Sequence, residues 1–270
     1  MAQLQQQHAT ATTGAPPTVV DSTDAHGSPV VRQLPLATAV GLHLLPGSCM
    51  VLFFILTAPR LVEAGLPPLW GLLLGALLII VPFELGVLLY TGKQLTGRLS
   101  LRGSVVYREP LALRQYLWLV PLVVLASFFL PGLVLLLEPL IRATLFGWLP
   151  TWFAAGPGQI AAYSPAIRVV TVVLWFISLV IAGPVVEELY FRGYLLPRIA
   201  RFKAAAPVLN TLLFALYHFW QPYAILTVIL FALPFAYAAW WKRNVYLAII
   251  AHCTVNLIAF FALFAGIVSR

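Results

Sequence analysis

The stretch "VVTVVLWFISLVIAGPVVEELYFRGYLLPR", Val169 to Arg198, starts as an uncharged apolar run. Past a Gly183-Pro184 break it sets Glu187, Glu188 and Arg192 close together. A helix needs about 20 apolar residues to cross the ~30 Å hydrocarbon core of a bilayer. The first part of the stretch supplies such a run. An ionisable group inside it is costly and marks either a functional site or a tightly partnered charge. The fold therefore reads as membrane-spanning, with its chemistry at the inner end of one span.

Composition agrees. Of the 270 residues, 61% are hydrophobic and only 9% charged, and the mean hydropathy is +0.95. A soluble domain carries roughly 25% charged residues. The net charge of +8 would suit a nucleic-acid binder only as a basic face on a soluble fold. Here the basic residues gather in the gaps between apolar runs, as membrane topology requires. The partner so implied is the lipid bilayer, and nucleic acid is excluded. Cys49 and Cys253 both lie within apolar runs, where they read as small buried hydrophobes rather than a disulfide framework.

The remaining runs give an all-α, polytopic transmembrane helical bundle of about seven spans (six to eight). They fall at 34–58, 67–91, 115–137, from 167 through the quoted stretch, and at 244–268, with two more between 204 and 241. The uncharged segment 204–241 is too long for one span at ~1.5 Å per residue, and "HFWQPY" (His218–Tyr223) is its natural turn. Residues 138–165 mix Gly, Pro and Trp with apolar residues and suggest an interfacial segment. Residues 1–33, rich in Gln, Thr, Ala and Pro, read as a disordered polar tail carrying a solvated His8 and His26. They lack the basic start and apolar stretch of a signal peptide. The transmembrane domain is then 34–270, with the motif-bearing core at about 167–260. With the amino terminus cytoplasmic, only Arg60, Arg142, Arg168 and Arg270 of the 16 Lys and Arg face outward, the bias expected of the inner side.

Few ionisable groups fall within the spans: His43, Glu84, Glu187, Glu188, Arg192, His218 and His252, with Asn256 a neutral companion. Glu188 and Arg192 stand at i and i+4, with the Glu amino-terminal, the favourable order for a helical ion pair. Glu187, turned by ~100°, is left to face something else. Phe214 and His218 in "FALYH", and His252 and Asn256 in "HCTVN", are also one turn apart. Measured along helices from Arg198, Lys203 and Arg243, Glu187 lies ~16 Å deep, His218 ~22 Å and His252 ~14 Å. These depths allow the three to meet inside the bundle.

The chemistry such a set supports is hydrolysis. A carboxylate in apolar surroundings serves as general base, histidine holds or polarises water, and a His and an Asn on one face can donate to an oxyanion. Glu187, His218 and His252 equally resemble a zinc set with an open position for water. Both readings stand on the residues alone. Other intramembrane protease chemistries lack their residues: there is no GxSG and no HExxH, and the only aspartates are Asp21 and Asp24 in the tail. Cys253 adjoins His252 but points elsewhere on the helix. His43 reads as a helix contact, and Glu84 as a structurally paired carboxylate with a supporting site role as the lesser reading.

"EELYFR" (Glu187–Arg192), "FALYH" (Phe214–His218) and "HCTVN" (His252–Asn256) resemble the EExxxR, FxxxH and HxxxN/D motifs of the CPBP or Abi family. These are intramembrane proteases related to the type II CAAX prenyl endopeptidase. The resemblance covers about 167–260 and implies an intramembrane endopeptidase, of metallo- or glutamate type, in a bacterial inner membrane. The implied substrate is a membrane-associated peptide or protein, prenylated or bacteriocin-like. It implies Glu187 as the base that activates water, assisted by His218, with His252 and Asn256 at the oxyanion and Glu188–Arg192 as a supporting ion pair. The implied cofactor is a divalent metal such as zinc, held by Glu187, His218 and His252, or none. A non-catalytic membrane scaffold and a proton-coupled transporter are the rival readings. The first predicts that Glu187→Gln changes little beyond stability, and the second expects polar groups spread over many spans.

Overall fold

The computed structural model describes residues 31–154 and 156–268. The expected tail, with His8 and His26, lies outside the described residues except for its last positions. From Gln33 onward the chain is one compact helical unit. Its helices are α1 (Leu36–Glu63), α2 (Leu69–Thr96), α3 (Leu113–Gly132), α4 (Leu137–Leu145), α5 (Pro165–Arg198), α6 (Ala206–Tyr217), α7 (Ile225–Lys242) and α8 (Val245–Val268). The described residues include no β-strand. Six of the helices, all but α4 and α6, are long and apolar enough to cross a membrane.

The count of about seven spans resolves into six long ones and α6. With 12 residues, α6 reaches only ~18 Å, short of the ~30 Å hydrocarbon core. Its end at Tyr217 opens into the turn 218–222. Irregular backbone at such a depth is tolerated where protein buries it or where it lines a wet cavity. The mixed segment 138–165 folds as the short helix α4, none of whose residues is buried, and two brief turns, 151–154 and 157–162.

α5 carries the quoted stretch and changes character along its length. Val169, Val170, Val173, Ile177 and Ile181 are exposed apolar residues, a lipid-facing surface. From Tyr190 to Ile199 every residue is buried, enclosed by contacts with α1, α2, α6, α7 and α8. The helix widens to i→i+5 pairing at Phe176–Ala182 and again at Glu188–Leu195. Each widened stretch runs up to a proline, Pro184 or Pro197. Proline has no N–H to give and its ring crowds the carbonyl four residues back, so the helix opens there. α2 does the same at Ala76–Ile80, ahead of Pro82.

One end of the bundle is tied by polar contacts between distant segments. The Leu34 amide donates to Arg198 O at 2.9 Å, and that of Val106 to Gly193 O at 2.9 Å. Arg198 Nη1 donates to Ser104 O at 3.0 Å, and Arg201 Nη1 to Leu34 O at 2.6 Å. Asn244 caps α8 by accepting from the Leu247 amide at 2.8 Å, while its amide nitrogen reaches Glu109 O at 2.7 Å. Gly193 is required here, because a Cβ would lie 2.8 Å from Val105 Cγ1. This basic end holds the 97–112 loop, the 198–205 turn and the α7–α8 junction. α3 starts from it and leads to α4 at the far end.

Candidate active site

A cavity of about 530 Å³ lies within the bundle, and Glu187, His218, His252 and Asn256 all line it. Three motif segments on α5, at the end of α6 and on α8 thus converge on one space. Glu187, His218 and Asn256 are each half-buried, while His252 is 4% exposed. Apolar walls come from Met50, Leu69, Leu72 and Ile80 on α1 and α2, and from Val228 and Phe231 on α7.

Glu187 Oε1 accepts from the Tyr217 hydroxyl at 3.2 Å. His218 caps the carboxyl end of α6, with Nδ1 2.8 Å from Phe214 O. Since a carbonyl only accepts, Nδ1 carries the proton and the Nε2 lone pair is free. The Phe214 ring lies edge-on to His218 at 4.7 Å and takes the Arg192 guanidinium on its face at 4.2 Å. Asn256 Nδ2 donates to Leu179 O in α5 at 2.6 Å. This fixes the amide and leaves its oxygen and second N–H uncommitted to that bond.

One residue from Glu187 the setting is sealed. Glu188 and Arg192 are both 0% exposed, with Nη1 3.3 Å from Glu188 Oε1. The same Oε1 is 2.9 Å from His252 Nδ1, so the pair expected between neighbours on one helix is a triad reaching α8. Glu188 orients the imidazole, much as a carboxylate beyond a ligating or catalytic histidine does. Phe235 stacks on His252 at 5.0 Å and 13°, which locks the ring further.

Sequence reasoning did not find Tyr217, the Glu188–His252 contact, or Asn210. Each depends on how helices cross, and no local spacing encodes that. His43 is a helix contact as expected: Nδ1 meets Ala39 O at 2.7 Å and Nε2 meets Asn210 Nδ2 at 3.0 Å. Glu84 lies against the Tyr217 hydroxyl. It is fully buried on α2, with Glu187, Glu188, Arg192 and Tyr190 also within electrostatic reach. Cys49 and Cys253 are both free thiols.

The zinc alternative requires three donors sharing one centre. Among the described residues no three of His, Cys, Asp and Glu are grouped to hold a metal ion together, while the Nδ1 contacts of both histidines leave each Nε2 open. Glu187, His218 and His252 line one cavity without forming a shared ligand cluster as placed here.

The architecture thus defines a class: an integral, polytopic helical membrane protein with a carboxylate–imidazole cavity inside the bundle. Its family likeness is more specific. Residues 169–258 match the model of the type II CAAX prenyl endopeptidase Rce1-like proteins. This bears out the resemblance to the CPBP proteases carried by the three motifs, and leaves α1–α4 outside the match. No curated protein and no solved structure matches the chain.

Proposed function

We propose that the protein is an intramembrane endopeptidase that hydrolyses a peptide bond of a membrane-associated substrate. The observation that carries this reading is the convergence of Glu187, His218, His252 and Asn256 on one cavity, within a segment matching a CAAX-type protease family. Water between Glu187 and His218 Nε2 gives a proton to the Glu187 carboxylate, and its oxygen attacks the scissile carbonyl carbon. The resulting oxyanion takes a hydrogen bond from the Asn256 amide, with the His252 ring, oriented by Glu188, beside it. Collapse breaks the C–N bond, and the proton on Glu187 goes to the leaving amine. Such preorganised donors act most strongly where water is excluded. The apolar walls from α1, α2 and α7 favour that condition.

Terminus-selective mass spectrometry of membrane peptides tests the reading, comparing cells with the wild type, Glu187→Gln and a deletion at matched protein level. The expected result is a set of new termini with the wild type only. Loss of a general base costs about 10²–10⁴ in rate, so the variant should match the deletion. Wild-type termini from the Gln variant would remove Glu187 from the mechanism and favour the scaffold.

A further inference from the structure

The cavity does not face the basic end. Its lining includes Glu138 and Arg142 on α4, Gly156, and Gln221 and Tyr223 in the turn before α7. α4 lies at the far end, one span of α3 away from the basic loops. A second hollow of about 500 Å³ adjoins it, sharing Glu138, Arg142 and Tyr223 and running on past Ala143, Phe146 and Leu149. Together they form a path from the far face to Glu187.

Arg142 is the only Lys or Arg among the described residues lining either hollow. It is exposed, and its guanidinium rests over the Tyr223 ring at 5.5 Å. Glu138, one turn earlier, accepts at Oε2 from Thr227 Oγ1 at 3.0 Å, and among the described residues it forms no ion pair with Arg142. The guanidinium is therefore held by an aromatic face with its N–H edges open. Arginine is suited to forked hydrogen bonds with a carboxylate.

We propose that the peptide substrate reaches the cavity from the extracytoplasmic side, through the vestibule beneath α4, and that Arg142 anchors a substrate carboxylate there. The side follows from the positive-inside rule, with the tied basic end as the cytoplasmic one. The anchored group is either a chain-terminal carboxylate or an acidic side chain, which share this chemistry. The proposal rests on the peptidase reading but does not stand or fall with its measurement, because anchoring is read by binding.

Full-length protein carrying Glu187→Gln is titrated with fluorescent synthetic octapeptides in matched forms. These have a free terminal acid or a terminal amide, and internal Asp and Glu or Asn and Gln. Binding of carboxylate-bearing peptides should exceed that of their neutral counterparts by about tenfold or more, the scale of one charge-assisted hydrogen-bonded contact. Adding Arg142→Gln should abolish the difference, and Arg142→Lys should restore part of it. The acid–amide and Asp/Glu–Asn/Gln comparisons identify which carboxylate is read. Equal binding of all peptides, or a preference surviving Arg142→Gln, overturns the anchor. For the side of access, Ala143→Cys in intact cells should react with a membrane-impermeant maleimide more than the parent does. Labelling only after permeabilisation overturns the extracytoplasmic assignment. Cleavage assays that fail while carboxylate-dependent binding persists count against the peptidase and not against the anchor.

Discussion

Glu187 and Glu188 are consecutive on α5, yet they belong to two regions built on opposite principles. Around Glu187 the protein keeps space: a half-buried carboxylate, one hydroxyl donor at 3.2 Å, and a cavity wall shared with His218 and Asn256. Around Glu188 it leaves none: the carboxylate, Arg192, His252 and the rings of Phe214 and Phe235 fill the volume. The cavity requires a group that can change its protonation and its partners. The sealed layer holds charges that must not change theirs. One residue links them, since His252 gives Nδ1 to the layer and lines the cavity. Rigidity below is what makes orientation above possible.

The sharpest way to break that contrast is to remove one charge from the sealed layer. Arg192→Met keeps most of the side-chain volume but leaves Glu188 buried without its cation. Stranding one member of a buried pair costs about 3–5 kcal/mol. The expected outcome is a large fall in the thermal midpoint of the detergent-solubilised protein and in its yield from membranes. Glu187→Gln, in the cavity, should leave both near the wild-type values. Equal stability losses for the two variants would mean that the cavity and the layer are one structural unit after all.

A smaller effect is expected where the two regions meet α1. Gly47 lies against the backbone carbonyl and ring of Tyr217, so close that a Cβ would collide with both. Gly47→Ala must push the end of α6 away from α1, and overpacking of this kind costs about 1–3 kcal/mol. Since Tyr217 and His218 stand on that end, activity should fall further than stability. An accompanying Gly41→Ala control, at an open position with nothing within 4 Å, should leave both unchanged. Full activity in Gly47→Ala would show that α6 is not held in register by α1.

These contacts mark how far the amino-acid sequence could be read. The spans were legible because bilayer thickness imposes length, and the pairs Glu188–Arg192, Phe214–His218 and His252–Asn256 because 3.6 residues per turn imposes spacing. The end of α6 was legible, since the turn read at His218–Tyr223 falls where the helix stops at Tyr217; that its 12 residues are too few for a full span was missed when it was counted among about seven. The Glu188–His252 contact was not legible, since it joins residues 64 positions apart. Glu84 was conspicuous by its rarity in an apolar run, but its position near Glu187 and Tyr217 follows from the packing of α2 on α5.

The smallest change that still separates the two regions is Tyr217→Phe. It removes one oxygen, and with it the hydroxyl donor to Glu187, while the ring keeps its contacts with Phe191 at 5.0 Å and Trp220 at 5.2 Å. A single hydrogen bond contributes about 0.5–1.5 kcal/mol net, so the thermal midpoint should move little. If the hydroxyl holds the Glu187 carboxylate toward the water it activates, the rate of terminus formation should fall by about tenfold at unchanged cleavage sites, which corresponds to ~1.4 kcal/mol in the barrier. The same hydroxyl also lies against Glu84, a carboxylate fully buried on α2. Combining Tyr217→Phe with Glu84→Gln therefore distinguishes two arrangements. A double variant no slower than Tyr217→Phe alone places Glu84 behind the tyrosine, acting on Glu187 through it. A further loss gives Glu84 its own route to the cavity, which would extend the reactive region onto α2 and move the boundary between the two regions off α5.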